Sequence, residues 1–148
     1  MHDQSEIVER LAPCGLDCRR CYGYSGGSIK ENSTQLLESL SGLEKVAGML
    51  EGVIPAFKGY PQFKEMLEFL AGGSCPGCRQ GGSKFPLCSA RTCFKEKGVD
   101  FCFQCDQYPC DRNRYHPPLR KKWLDNNNRM KEIGIEAFYQ EQLGKTRY

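Results

Sequence analysis

Ten cysteines carry the chemistry open to this 148-residue chain. Three form an N-terminal knot, Cys14, Cys18 and Cys21. Seven lie in one later stretch: Cys75, Cys78, Cys88, Cys93, Cys102, Cys105 and Cys110. The pairs Cys18/Cys21, Cys75/Cys78 and Cys102/Cys105 have the C-x2-C spacing. Two intervening residues let a tight turn aim both sulfurs at one ion, with backbone N–H groups supporting the thiolates. In Cys75-Pro76-Gly77-Cys78 the Pro and Gly favour a type II turn. All ten cysteines are read as metal ligands.

Soft thiolates suit zinc or an iron–sulfur cluster, and zinc is the expected metal. Cys14-x3-Cys18-x2-Cys21 looks like the radical-SAM cluster motif, so an iron–sulfur redox or radical protein is the alternative. Against it, the chain is short for such an enzyme's barrel. Arg20 also stands where an aromatic residue usually precedes the third cysteine, and seven further cysteines would go unexplained. Ligand partition stays open. Two four-cysteine sites leave two thiols spare. Cys110 could complete the N-terminal knot, and Cys75/Cys78 could join either Cys102/Cys105 or Cys88/Cys93. Of the two histidines, His2 is beside the terminus and His116 reads as an ordinary surface or packing residue.

No catalytic constellation stands out, and an enzyme is not the favoured reading. Neither histidine has an evident triad partner, no Gly-rich phosphate loop is present, and metal-bound thiolates are usually structural. Gly72-Gly73 and Gly81-Gly82 read as hinges. Asp17, Asp100, Asp106 and Asp111 adjoin the cysteine motifs and read as solvated turn residues. Net charge is unevenly spread. Residues 1–74 carry seven Lys/Arg against ten Asp/Glu, and residues 75–148 fourteen against eight. Arg112, Arg114, Arg120, Lys121, Lys122, Arg129 and Lys131 cluster around Tyr115 and Trp123. That makes a nucleic-acid binder a minor alternative. The blander reading is a core Trp123 under a solvated basic face.

The elements that must position these residues are mostly helical. Residues 6–12 suggest a short helix or extended lead-in, stopped by Pro13. A helix is expected over roughly 33–51, capped by Asn32 or Ser33, with Leu36, Leu40, Leu43, Ala47 and Leu50 on one face. Pro61 opens a second helix, with Phe63, Met66, Leu67 and Leu70 as its core stripe and Gly72-Gly73 at its end. The two are expected to pack antiparallel. Ser89 and Gly98 bound a short helix, and Val99 to Phe103 suggest a short strand. Pro117-Pro118 open a helix over about 117–133, in which Asn126–Asn128 are poor helix formers. Ile135 begins a last helix.

The order of motifs resembles a family of small, cysteine-rich prokaryotic proteins catalogued as a domain of unknown function. The matching segments are CGLDCRRC, CPGC, the Cys88 and Cys93 pair, KGVDFCFQCDQYPC and the tail WLDNNNRMKEIGIEAFYQEQ. The resemblance implies a metal-binding fold and supplies no activity. The expectation is a mainly α domain with little β over residues 1–148. It has a helical insert about 33–72, a knuckle lobe about 75–110 and C-terminal helices about 117–143. Its metal clusters are structural, and its role is that of a binding or adaptor module. The partner is a protein, or a nucleic acid met through the basic C-terminal half. No signal peptide or membrane span is evident, so a cytoplasmic protein with reduced thiols is expected.

Overall fold

The computed structural model describes residues 3–82, 85 and 87–148. In chain order the helices are α1 (Gln4–Arg10), α2 (Ser28–Ser39), α3 (Leu43–Leu50), α4 (Tyr60–Ala71), α5 (Ala90–Lys97), α6 (Pro117–Ile133) and α7 (Ile135–Leu143). Short 3₁₀ turns at Cys18–Arg20, Cys78–Gln80 and Cys102–Gln104 each begin on a cysteine. Among the described residues β structure is confined to one isolated bridge, Leu11 to Asp17. The fold is mainly α.

The chain divides into two compact units. One is the insert Tyr22–Ser74; the other joins the residues up to Cys21 with Cys75–Tyr148. All ten cysteines belong to the second unit, and Cys21 and Cys75 stand at the edges of the insert.

Within the insert α2 packs on α4. The Lys30 ammonium at the start of α2 donates to the Gly73 carbonyl beyond the end of α4 at 2.8 Å, so the pair is antiparallel. The single helix expected over 33–51 is instead α2 and α3. Gly42 between them takes φ +84°, a left-handed conformation that costs glycine least and breaks the helix. Asn32 and Ser33 lie inside α2, whose N-cap is Gly27. The expected core stripe of α4 is also corrected. Leu67 is buried, but Phe63 and Met66 are exposed. Among the described residues, Ala47 and Leu67 are the insert's only buried hydrophobic side chains. Leu36, Val46, Met49, Val53, Ile54 and Phe69 are exposed with Phe63 and Met66.

The cysteine-bearing unit has the better core. Ile7 and Leu11 of the N-terminal segment meet Phe101, Met130, Phe138 and Tyr139 in one buried cluster. Full burial of such side chains stabilises by ~1.5–3 kcal/mol each. A second cluster gathers Ala12, Cys14 and Trp123, with Cys18, Cys78, Cys102, Tyr108 and Tyr115 packed against it. Pro117 opens α6 in its first turn, and α7 spans the expected residues. The strand expected at Val99–Phe103 is absent: Phe101 is extended, but Cys102–Gln104 form a 3₁₀ turn. Gln104 causes this, because its side-chain carbonyl accepts from the N–H groups of Asp100 and Phe101, both at 2.9 Å. Ser89 precedes α5 without capping it through its side chain. Its hydroxyl donates instead to the Arg112 carbonyl at 2.7 Å.

Candidate metal centre

Local sequence chemistry brings the N-terminal knot onto α6. The Cys102 N–H donates to the Pro13 carbonyl at 3.0 Å, joining the knot to the third knuckle. Gly15 has φ +84°, and a Cβ there would stand 2.9 Å from Asn126 Cβ and from Met130 Cε. Only glycine permits so close an approach. Asn126 donates to the Gly15 carbonyl at 3.2 Å. Asn127 donates to the Cys14 carbonyl at 3.1 Å and accepts from the Phe103 N–H at 3.0 Å. The Asn128 carbonyl accepts from the Tyr108 hydroxyl at 2.8 Å. The three asparagines that weaken α6 as a helix sequence are therefore the clamp that holds two cysteine segments.

All ten cysteines are free thiols with no disulfide. Cys14, Cys18, Cys78 and Cys102 pack in the cluster around Trp123. The Cys78 backbone N–H donates to the Cys18 sulfur at 3.5 Å. The Gln107 N–H donates to the Cys105 sulfur at 3.4 Å. The Cys88 sulfur and the Tyr115 hydroxyl lie 2.9 Å apart. The Trp123 indole N–H is buried with no partner in ordinary hydrogen-bond geometry. The sulfur it acts on is Cys102, whose ionisation it favours. Donors directed at sulfurs are what thiolates require and neutral thiols reward weakly. Asn113, three residues past Cys110, is buried with both polar atoms of its amide unpartnered.

Electrostatics sort the thiols. Contact with Cys78 holds Cys18 down at about 7, against an opposing effect of burial. Cys78 is raised, first by its hydrogen bond to Cys18 and then by burial. Burial pushes Cys14 and Cys102 up to about 12. Burial also raises Cys93, against the pull of Arg112. Without a cation Cys14 and Cys102 stay protonated at neutral pH; a divalent ion bound there would reverse that balance.

Arg79, directly after Cys78, was not singled out by the sequence. Its guanidinium lies between the Phe94 and Phe101 rings, 5.1 and 5.0 Å from their centroids. It donates to the carbonyls of Leu11 and Asp100 at 2.7 and 2.6 Å. Its charge also helps lower Cys18. It is the built-in counter-charge beside Cys18. The signal available was its place next to a knuckle cysteine.

The CPGC knuckle departs from a type II turn. Gly77 has the positive φ expected, +104°, but ψ is 152° rather than near zero. Gly82 is not a hinge: a Cβ there would stand 2.6 Å from the Cys75 sulfur and 3.0 Å from the Gly77 carbonyl. Cys21 closes the first 3₁₀ turn through its N–H to the Cys18 carbonyl at 3.0 Å. Among the described residues no three His, Cys, Asp or Glu side chains are drawn together tightly enough to hold an ion as they stand. His116 is exposed before α6, and His2 lies outside the described residues. Asp17 is buried and caps its turn, accepting from the Arg19 N–H at 3.0 Å. Asp106 and Asp111 pair with Lys97 at 3.7 Å and Arg120 at 2.9 Å.

The basic segment is largely neutralised. Arg112, Lys121 and Arg129 pair with Glu96, Asp125 and Glu132. Arg129 also pairs with Glu141. Arg120 additionally donates to the Cys110 carbonyl at 3.0 Å and lies over the Trp123 ring. No helix is long and apolar enough to cross a membrane among the described residues.

No curated protein and no solved structure matches the chain. A family model described as "protein of unknown function (DUF3795)" matches residues 10–115, a span that holds every cysteine. That span is well over half of the chain, and the chain belongs to this family.

Proposed function

We propose that this protein is a zinc-binding module in which the cysteine centres are structural and hold the unit that joins the N-terminal knot to residues 75–148. One observation carries the reading: all ten cysteines, none in a disulfide, are segregated into one unit, and several of their sulfurs are faced by N–H or O–H donors. Zinc takes four thiolates in a tetrahedron at ~2.3 Å, so some of these side chains turn inward when it binds. Arg79 beside Cys18 and the Trp123 N–H that acts on Cys102 supply the positive charge and the donor that a thiolate centre favours.

The role we propose is that of a binding module with a protein partner. The insert supports this, because it leaves Met49, Val53, Met66 and Phe69 exposed on so small a body. Exposed apolar side chains in such number are what protein contacts cover. The ion pairs along Arg112–Arg129 take charge away from a nucleic-acid reading.

Metal removal tests the proposal. In small thiolate domains zinc binding supplies ~10–16 kcal/mol of folding free energy. A chelator is therefore expected to lower the melting temperature and the helical circular dichroism. An unchanged melting curve would reject structural zinc.

A further inference from the structure

We propose that the insert binds a basic segment of a partner protein, in a groove between α3, α4 and the 3₁₀ turn Pro55–Gly59, with a lysine or arginine seated beside an apolar side chain. This deepens the protein-partner reading above and rests on it; it does not depend on the metal.

The groove encloses about 440 Å³, within the ~300–1,000 Å³ range of ligand clefts. Its floor is α3, where Ala47 is buried and Gly48 exposed. A Cβ on Gly48 would meet nothing within 4 Å. Among the described residues no packing contact therefore requires glycine there, although glycine inside a helix costs ~1 kcal/mol against Ala. Its effect is to leave the floor open. The half-buried Phe57 and Tyr60 rings and Pro61 make the walls apolar. Aromatic faces of this kind take both the stem and the charge of a lysine or arginine.

Charge selects the occupant. Glu44, Glu51, Glu65 and Glu68 line the groove together with Lys64. They are four of the insert's six carboxylates, gathered in one place on a chain of net charge +3. Lys64 lies 3.7 Å from Glu44 and 4.0 Å from Glu68, so two of the four already face an ammonium. Glu51 and Glu65 are exposed, and neither has an ion-pair partner among the described residues. Glu51 is also the C-cap of α3, whose last turn holds no basic residue. A carboxylate there faces the negative end of the helix dipole, and a bound cation would offset that repulsion. Gly48 and Glu51 thus both break a local rule with no gain inside the chain, as residues kept for a ligand do.

The groove continues into an apolar site. A second cavity, of about 290 Å³, shares Glu44, Tyr60, Lys64 and Glu68 with the first and adds Leu37, Leu40, Phe63 and Leu67. A free amine satisfies the first cavity alone. A peptide with a basic residue next to an apolar one satisfies both.

The test is selection of short random peptides, displayed on phage, against the full-length chain and against Gly48→Leu, whose side chain fills the floor. Sequences kept by the first and lost by the second should pair Lys or Arg with an apolar neighbour. Such a peptide, labelled with fluorescein, is then titrated by fluorescence anisotropy. The double variant E51Q/E65Q should bind it about tenfold more weakly. E38Q makes the same charge change on α2 outside the groove and should alter binding by less than about twofold. Helical circular dichroism of every variant should match the parent. Peptides kept equally by Gly48→Leu, selection of acidic or uncharged sequences or of none, or equal weakening by E38Q would overturn the groove. The protein-partner reading would then stand on the exposed methionines and phenylalanines alone. Self-association that Gly48→Leu abolishes would make a second copy the occupant and overturn the basic partner.

Discussion

The side-chain amide of Asn127 joins two cysteine segments, donating to the Cys14 carbonyl at 3.1 Å while accepting from the Phe103 N–H at 3.0 Å. Asn127 is fully buried, so water cannot replace either bond. The knot and the third knuckle are held to α6 before any ion is considered.

Replacing Asn127 with Ala leaves a buried carbonyl and a buried N–H unpartnered. Each such group costs ~1–3 kcal/mol. N127A should lose about 3 kcal/mol of stability, read from the urea unfolding midpoint of the metal-loaded protein. A change below about 0.5 kcal/mol would show that the clamp is unimportant.

Two glycines should respond with opposite sign. A Cβ at Gly82 meets the Cys75 sulfur at 2.6 Å, whereas one at Gly48, inside α3, meets nothing within 4 Å. G82A should destabilise the chain by ~1–3 kcal/mol through overpacking. G48A should stabilise it by up to ~1 kcal/mol through helix propensity. Thermal melts of both variants check the pair, and equal shifts would contradict the packing described for the CPGC knuckle.

The metal-free chain should lose stability in alkali. Burial raises Cys14 and Cys102 from 9.0 to about 12, so between those values the unfolded chain releases protons that the folded chain keeps. The contribution of these two thiols is full below pH 9 and falls as pH rises toward 12. Ligation removes the effect, because bound sulfurs are already deprotonated. Urea midpoints against pH, with and without zinc, should diverge above pH 9.

Much of the architecture was written in punctuation. Pro61, Pro117 and Gly98 bound α4, α6 and α5 where the residue types place them. Periodicity told which residues share a face but not what covers that face. Phe63 and Met66 follow a core pattern and are exposed because the insert is too thin to bury them. The 33–51 helix failed at Gly42, where one left-handed residue outweighs two turns of apolar spacing. The Val99–Phe103 strand failed because Gln104 captures the preceding N–H groups.

Cysteine spacing offered every thiol as a ligand but could not say which of them meet. Cys18 and Cys78 are neighbours because the insert leaves and returns between them, a relationship that no local spacing encodes. The asparagine run in α6 was readable as an anomaly. Three poor helix formers in a well-started helix signal side chains committed to tertiary hydrogen bonds.

Elemental analysis of the full-length chain, purified anaerobically and kept from chelators, addresses the central claim most directly. The account predicts colourless protein carrying stoichiometric zinc. Iron with visible absorption would contradict zinc, and a well-folded protein with ten reactive thiols and no bound metal would contradict the metal-held unit itself.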